Sequence, residues 1–358
     1  MPLEPDRPLS GEVRARIESI GTALPAARLT TEALLADCKQ AEAVDLTWLT
    51  GVEERRVCGE GDNSRTLAIA AARNCLARSR WEAEDLDWLI FCGITRYVEG
   101  LEFQFEPQLS VEVASAIGAH RARTFDVGNA CAGMLTGVSI LEDGIRRGTI
   151  RRGMIVSGEW ITHLAHNARS NVDGITHPEV ASLTVGDSGA AAIIESCAPN
   201  QGIQSSVFVT LAEHSDLCIG KGYPQGPGAF MLTDAAEIHR IALLDALEVL
   251  KEALSQAGIP YAKLGHVVAH QTSARAIRAG DRIWQKVVGV RERKFRENLA
   301  RIGNTSTTSH FLALDHLLST GEIQRGESVL LLAFASGLVI GAQVFTVDEL
   351  VDTYAHAD

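Results

Sequence analysis

The sequence predicts an α/β fold made of two similar halves, and three observations carry that prediction. The halves repeat one another at an offset of about 175 residues, a domain-sized period. Helix-like and strand-like segments alternate through both. Several strand-like segments are continuously apolar, as expected of parallel-rich sheets covered by helices. Two such halves packed together give five layers in the order helix, sheet, helix, sheet, helix. The expected halves are residues 1–185 and 186–358.

The repeat can be followed element by element. In the first half, a helix-like stretch over Thr66–Arg78 leads through Trp81–Leu86 into the strand-like Asp87–Cys92. In the second, a helix-like Ile241–Ala257 leads through Ile259–Leu264 into the strand-like Gly265–His270. Gly128-Asn-Ala-Cys131 then opens a long apolar helix pattern, followed by a Gly- and Arg-rich stretch and the strand Met154–Ser157. Its counterpart is Gly303-Asn-Thr-Ser306, an apolar helix through Leu318, a turn over Thr320–Gly326 and the strand Ser328–Phe334. The two helix starts, carrying Cys131 and Asn304, should converge near a pseudo-twofold axis.

Composition narrows the class. Hydrophobic residues make up 46% and charged residues 22% of 358 positions, ordinary for a globular enzyme. A net charge of −12 argues against nucleic acid as a partner, since that needs a basic face. The seven cysteines are odd in number, irregularly spaced and without a C-x-x-C pair, which supports neither a disulfide framework nor a metal site. The N-terminal stretch has no hydrophobic signal core, and no apolar run is long enough to span a bilayer, so a cytoplasmic protein is expected.

Cys131 lies between an apolar strand-like stretch and a helix-like one, a placement that lowers a thiol's pKa through the helix N-terminus. Gly128, Ala130, Ala132 and Gly133 would let a substrate carbonyl approach the backbone closely. Alone, such a cysteine reads first as a buried structural residue. His270 in Ala269-His-Gln-Thr-Ser273 and Asn304 in Ile302-Gly-Asn-Thr-Ser306 change that reading.

With these three residues in this order and spacing, the chain resembles the thiolase superfamily, specifically the ketoacyl synthase III type. Thr50-Gly-Val-Glu-Glu-Arg-Arg56, Gly186-Asp-Ser-Gly-Ala-Ala191 and the Ala333–Ala342 tail extend the match over nearly the whole length. The resemblance implies a thiolase-like duplicated five-layer fold and a Claisen condensation of two acyl thioesters. Cys131 would hold the first acyl group as a thioester. His270 and Asn304 would donate to the second thioester's oxygen as an enolate forms, and the backbone N–H groups of Cys131 and Ser336 would form a separate oxyanion hole. No metal or prosthetic group is implied. The acyl groups arrive on coenzyme A or on the phosphopantetheine of an acyl carrier protein, and a homodimer is expected.

The departures from the initiating enzymes are informative. Their coenzyme A clamp, a Trp and an Arg, falls on Asp45 and Leu49 here, so an aromatic–guanidinium pair is expected to be missing. Their His-Gln-Ala-Asn reads His270-Gln-Thr-Ser273, which places a pantetheine contact at Ser273. Arg275 matches a basic position that engages acidic carrier proteins, and reads equally as a solvated helix arginine. Glu106 in Phe103-Gln-Phe-Glu-Pro107 stands where those enzymes carry a phenylalanine. A carboxylate there resembles the head-to-head condensing enzymes of olefin synthesis and the pyrone synthases, in which a Glu from the partner subunit is the general base. It reads otherwise as an exposed loop residue. Asp187 is expected to be a turn residue, His266 an ordinary polar residue, and His163 and His166 loop residues. A ketosynthase of specialised metabolism is the leading expectation. Acyl transfer to oxygen or nitrogen, and an inactive partner subunit of a heteromeric synthase, are the alternatives.

Overall fold

A computed structural model of the chain describes residues 13–38, 45–199 and 201–354. The first half runs from β1 (Arg14–Ala23) through β2 (Arg28–Thr30), α1 (Thr31–Ala36), α2 (Leu46–Thr50) and β3 (Glu54–Arg56) to α3 (Ser64–Arg78). Then come β4 (Trp88–Phe91), α4 (Leu109–Ile117), β5 (Arg123–Asp126), α5 (Gly133–Arg146), β6 (Arg152–Glu159), α6 (His163–Ala168) and β7 (Ser188–Cys197). The second half holds β8 (Gly202–Thr210), the hairpin β9 (Cys218–Gly222) and β10 (Ala229–Thr233), α7 (Ala235–Ala257), β11 (His266–Ala269) and α8 (Ala274–Val288). It ends with α9 (Ser309–Ser319), β12 (Ser328–Ala335) and β13 (Val339–Thr346).

Caps explain why the helices begin where they do. Asn63 and Thr66 form a reciprocal capping box that starts α3, and the Asp234 carboxylate accepts from Glu237 N to start α7. Both helices therefore begin before the purely apolar pattern does.

The first sheet has the order β1-β7-β6-β4-β5 and the second β11-β12-β13-β8. The repeat is visible in this order. β8, β13, β12 and β11 stand where β1, β7, β6 and β4 stand, and a single parallel bridge between Val267 and Phe295 takes the place of β5. The sheets are mixed rather than parallel-rich. β4 runs parallel to β5 and β6, and β11 to β12, but β7, β1, β13 and β8 are antiparallel to their neighbours. The turn at 336–338 is too short for a crossover, so β13 must return antiparallel to β12. Because β7 pairs with β1 and β6, the first sheet continues past residue 185 to Cys197.

The five layers are present. α5 and α9 lie between the sheets, burying Leu135, Val138, Leu141, Leu314 and Leu317 in the central core. Ala68, Ala71 and Val113 of α3 and α4 cover the outer face of the first sheet, against Phe91 and Val156. Leu250, Ala253 and Ile277 of α7 and α8 cover the second, against Val267 and Leu332. The starts of α5 and α9 thus meet at the centre of the molecule.

Candidate active site

Cys131 lies in a single 3-10 turn, Ala130–Ala132, immediately before α5. Ala130 has φ +42°, an uncommon conformation for a residue with a side chain. The turn is seated on the end of β4: a Cβ on Gly133 would lie 2.3 Å from the Cys92 carbonyl oxygen, so only glycine fits. The second half builds the matching turn, Ser306–Thr308, before α9, with Ser306 at φ +56°. The two turns meet, and Cys131 Sγ lies 3.8 Å from Ser306 Oγ. The expected convergence of the helix starts is therefore observed, with Ser306 as the residue that faces the cysteine.

The expected lowering of the thiol pKa is not found. Burial pushes Cys131 up to about 12, while the Ser306 hydroxyl acts the other way. Cys218 and Glu159 are close enough to add to the rise. Although part of Cys131 reaches solvent, densely packed neighbours favour the neutral thiol over a thiolate.

Asn304 is fixed by the junction between the halves. Its N–H donates to Thr184 O at 2.9 Å, and its carbonyl accepts from Gly186 N at 2.9 Å. A Cβ on Gly186 would lie 1.9 Å from Ile302 O, which explains the glycine in that motif. The Asn304 side chain accepts at Oδ1 from Ser306 N at 3.0 Å, leaving Nδ2 as its donor. His270 follows the last residue of β11 and is buried, with Nδ1 2.8 Å from Ser309 Oγ. Burial, with a further contribution from neighbouring His310, pushes its pKa down to about 3. The imidazole is neutral at physiological pH. One segment, residues 304–309, therefore carries Asn304 and touches both Cys131 through Ser306 and His270 through Ser309.

Ser336 sits in the turn between β12 and β13, beside Gly337 at φ +129°. β12 packs against the Cys131 turn, and Cys131 lies against the central core that includes Ala335. Glu106 is elsewhere. It is exposed on a loop pinned by a Tyr97–Phe103 bridge and by Gln104, whose side-chain amide donates to Pro107 O and Glu112 Oε2. Phe105 beside it is 78% exposed. Within one chain, Glu106 stands apart from Cys131's buried surroundings.

Ser273 caps α8, its hydroxyl donating to Leu49 O at 3.3 Å and accepting from Ala276 N at 3.4 Å. Arg275 stacks on Trp48, with its guanidinium carbon 3.8 Å from the ring centre. Trp48 and Arg275 are thus stacked directly on one another, while positions 45 and 49 carry neither an aromatic ring nor a guanidinium. Asp45 instead caps α2, accepting from Trp48 N at 2.9 Å.

Other expectations need correction. Asp187 is a buried anchor rather than a turn residue: it is fully buried and accepts from Cys58 N, Ile161 N, Thr162 N and Thr162 Oγ1 at 2.6–2.8 Å. His163 and His166 lie on α6 rather than in a loop, and His163 is buried, with Nδ1 accepting from Ala229 N. His266 is structural, between Arg296 and Glu327. Sequence reasoning missed Ser306, Ser309 and Glu159. Glu159 is fully buried and accepts from Ile94 N, Thr95 N, Thr95 Oγ1 and Thr307 Oγ1 at 2.8–3.1 Å. Ser306 could have been found from the repeat, since the offset that aligns the halves places it opposite Cys131. Among the described residues no cluster suited to a metal ion occurs, and no helix is long and apolar enough to cross a membrane.

Comparisons with known proteins agree with this architecture. Residues 125–211 match the family model for 3-oxoacyl-(acyl-carrier-protein) synthase III, and residues 254–347 match the model for its C-terminal part. The chain is 29% identical to a β-ketoacyl-(acyl-carrier-protein) synthase III of a Roseiflexus species, over 90% of this chain and 95% of that one. It is 27% identical to the Shewanella oneidensis protein of the same name, over 82% and 87%. Among solved structures, the priming β-ketosynthase of the R1128 polyketide pathway superposes with a TM-score of 0.81 at 23% identity, covering 96% of this chain and 99% of that one. An OleA variant from Xanthomonas campestris gives 0.79 at 21% identity, covering 94% and 99%.

Proposed function

Since the chain belongs to the 3-oxoacyl-(acyl-carrier-protein) synthase III family of acyl-transferring condensing enzymes, we propose that it joins two acyl thioesters through an acyl-Cys131 intermediate. The observation that carries this reading is the 304–309 segment, which brings a nucleophile and two hydrogen-bond donors to one place. Cys131 Sγ attacks the first thioester carbonyl. The tetrahedral oxygen is held by the backbone N–H groups of Cys131 and Ser336, and the carrier thiol leaves with the proton that Cys131 gives up. The second thioester then loses a proton from its α-carbon, its oxygen held by His270 Nε2 and Asn304 Nδ2. The carbanion attacks the acyl-Cys131 carbonyl, a β-keto thioester departs, and the thiol is restored.

The base is Glu106 of the partner subunit in this proposal. The loop's exposed Phe103 and Phe105 favour a second copy as its cover, and the edge strand β5 leaves a further face open. A substrate without a carboxylate to lose needs such a base. An acyl carrier protein is the proposed donor. Arg275, Arg278, Arg282 and Lys286 are exposed at spacings that place them along one side of α8, a basic stripe on a chain of net charge −12. Trp48 beside it offers a flat face to a coenzyme A base as well. A role in specialised metabolism and a cytoplasmic location belong to the same reading.

Incubation with paired thioesters and mass analysis of the products tests the reaction. A β-keto product is expected, and an ester or amide would redirect the assignment to acyl transfer onto oxygen or nitrogen.

A further inference from the structure

We propose that Ser309 is a positioning residue that fixes the His270 imidazole with its proton on Nε2, so that His270 is set as a hydrogen-bond donor before substrate arrives. This deepens the condensing reading above and rests on it for its kinetic consequence.

Hydrogen-bond satisfaction inside the protein decides which nitrogen carries the proton. Ser309 is fully buried at the start of α9, and its Oγ lies 2.8 Å from His270 Nδ1. Among the described residues, that nitrogen is the one acceptor within hydrogen-bond reach of the hydroxyl. If Nδ1 carried the proton and donated to Oγ, the serine's own proton would be stranded inside the protein, a costly arrangement. With the hydroxyl donating, Nδ1 is a lone pair and the neutral ring must carry its proton on Nε2.

The neighbouring ring supports this. His310 Nε2 lies 3.0 Å from Leu332 O and donates to it, so His310 Nδ1 is a lone pair and has no proton to offer. The His310 and His270 rings stack, with centroids 5.8 Å apart and planes 25° apart. Burial keeps both rings neutral, pushing His270 down to about 3 and His310 to about 4. A charged imidazole with protons on both nitrogens is thereby disfavoured.

Asn304 is treated in the same way. Its acceptor atom is occupied by Ser306 N–H, which leaves the amide nitrogen to donate. Two serines three residues apart thus occupy the acceptor atoms of both donors. Such preset donors need no reorganisation as charge develops on the thioester oxygen.

Nitrogen-15 NMR of histidine-labelled, substrate-free protein tests the assignment, with the His270 signals identified by their loss in His270→Gln. The expected spectrum shows a protonated Nε2 and a hydrogen-bonded, unprotonated Nδ1. A proton on Nδ1 would overturn the proposal whether or not the protein condenses thioesters. In Ser309→Ala the two tautomers should mix. Condensation from preacylated enzyme should then fall about tenfold or more in kcat, with KM and Cys131 acylation unchanged. Ser309→Thr, which keeps the hydroxyl, should restore both tautomer and rate. An unchanged tautomer and rate in Ser309→Ala would also sink the idea.

Discussion

Cys131 holds its proton more tightly than a free thiol, because burial raises its pKa to about 12. The sign follows: below that value the neutral thiol dominates, and each step up in pH increases the reactive thiolate. Alkylation of the free enzyme by iodoacetamide should therefore climb about tenfold per pH unit through neutrality. A plateau near neutral pH would show a thiolate that the packing here disfavours. His270 is displaced the other way, to about 3, so its neutral form persists from there upward. Condensation by preacylated enzyme should show no imidazole titration between about pH 5 and 8, a range where an ordinary histidine would give one. At Glu106 the expected outcome of Glu106→Gln is condensation reduced by about a hundredfold or more, with Cys131 acylation retained. Full condensing activity in that variant would remove Glu106 from the mechanism. Cys131, His270 and Asn304 could be singled out as candidates from the sequence, because their residue types and order are visible along the chain. The thiol's high pKa could not, because it depends on which atoms the fold packs around the sulfur.

Elements deliver these residues through close backbone approaches. Gly133 lets the Cys131 turn sit on the end of β4, and Gly186 lets the segment around Asn304 lie against residues 184–186. Asp187, beside that junction, gathers donors from Cys58, Ile161 and Thr162 and so ties three segments together. Replacing it with Asn puts an amide N–H₂ where an acceptor is needed. Asp187→Asn should destabilise the fold by about 3 kcal/mol, read as a lowered urea midpoint. A midpoint within error of the parent would mean that these donors find other partners. Apolar periodicity revealed the helices α3, α5, α7 and α9 and the strands β4, β6, β11 and β12, since burial on both faces leaves a continuous apolar run. Strand direction was less legible, because it is set by connection length and by which edge a strand joins. The role of Asp187 was hidden for a similar reason: its four donor atoms come from residues distant in sequence.

For the molecule as a whole, the duplication explains where the site lies. Two helix starts of similar sequence meet between the sheets, and their symmetry-related residues Cys131 and Ser306 touch. The halves have diverged at that contact, one carrying a cysteine and the other a serine; in the proposed reaction the first supplies the nucleophile and the second the donors. The repeat made the meeting of the two helix starts readable from the sequence, whereas the pairing of Ser306 with Cys131 became apparent only from the fold. If the Glu106 loop completes a neighbour's site, Glu106→Gln and Cys131→Ala proteins should each condense poorly alone. Mixed dimers of the two should regain about a quarter of parental activity, from one intact site in half of the dimers. No recovery despite subunit exchange would place the role of Glu106 within its own chain. The most direct test of the central claim is intact-mass analysis of the protein after exposure to an acyl thioester, with Cys131→Ala alongside, followed by a chase with a second thioester. The account predicts one acyl adduct on the Cys131 peptide, absent from the variant and released by the chase as a β-keto thioester. An adduct that survives in Cys131→Ala, or one that the chase releases only as free acid, would contradict it.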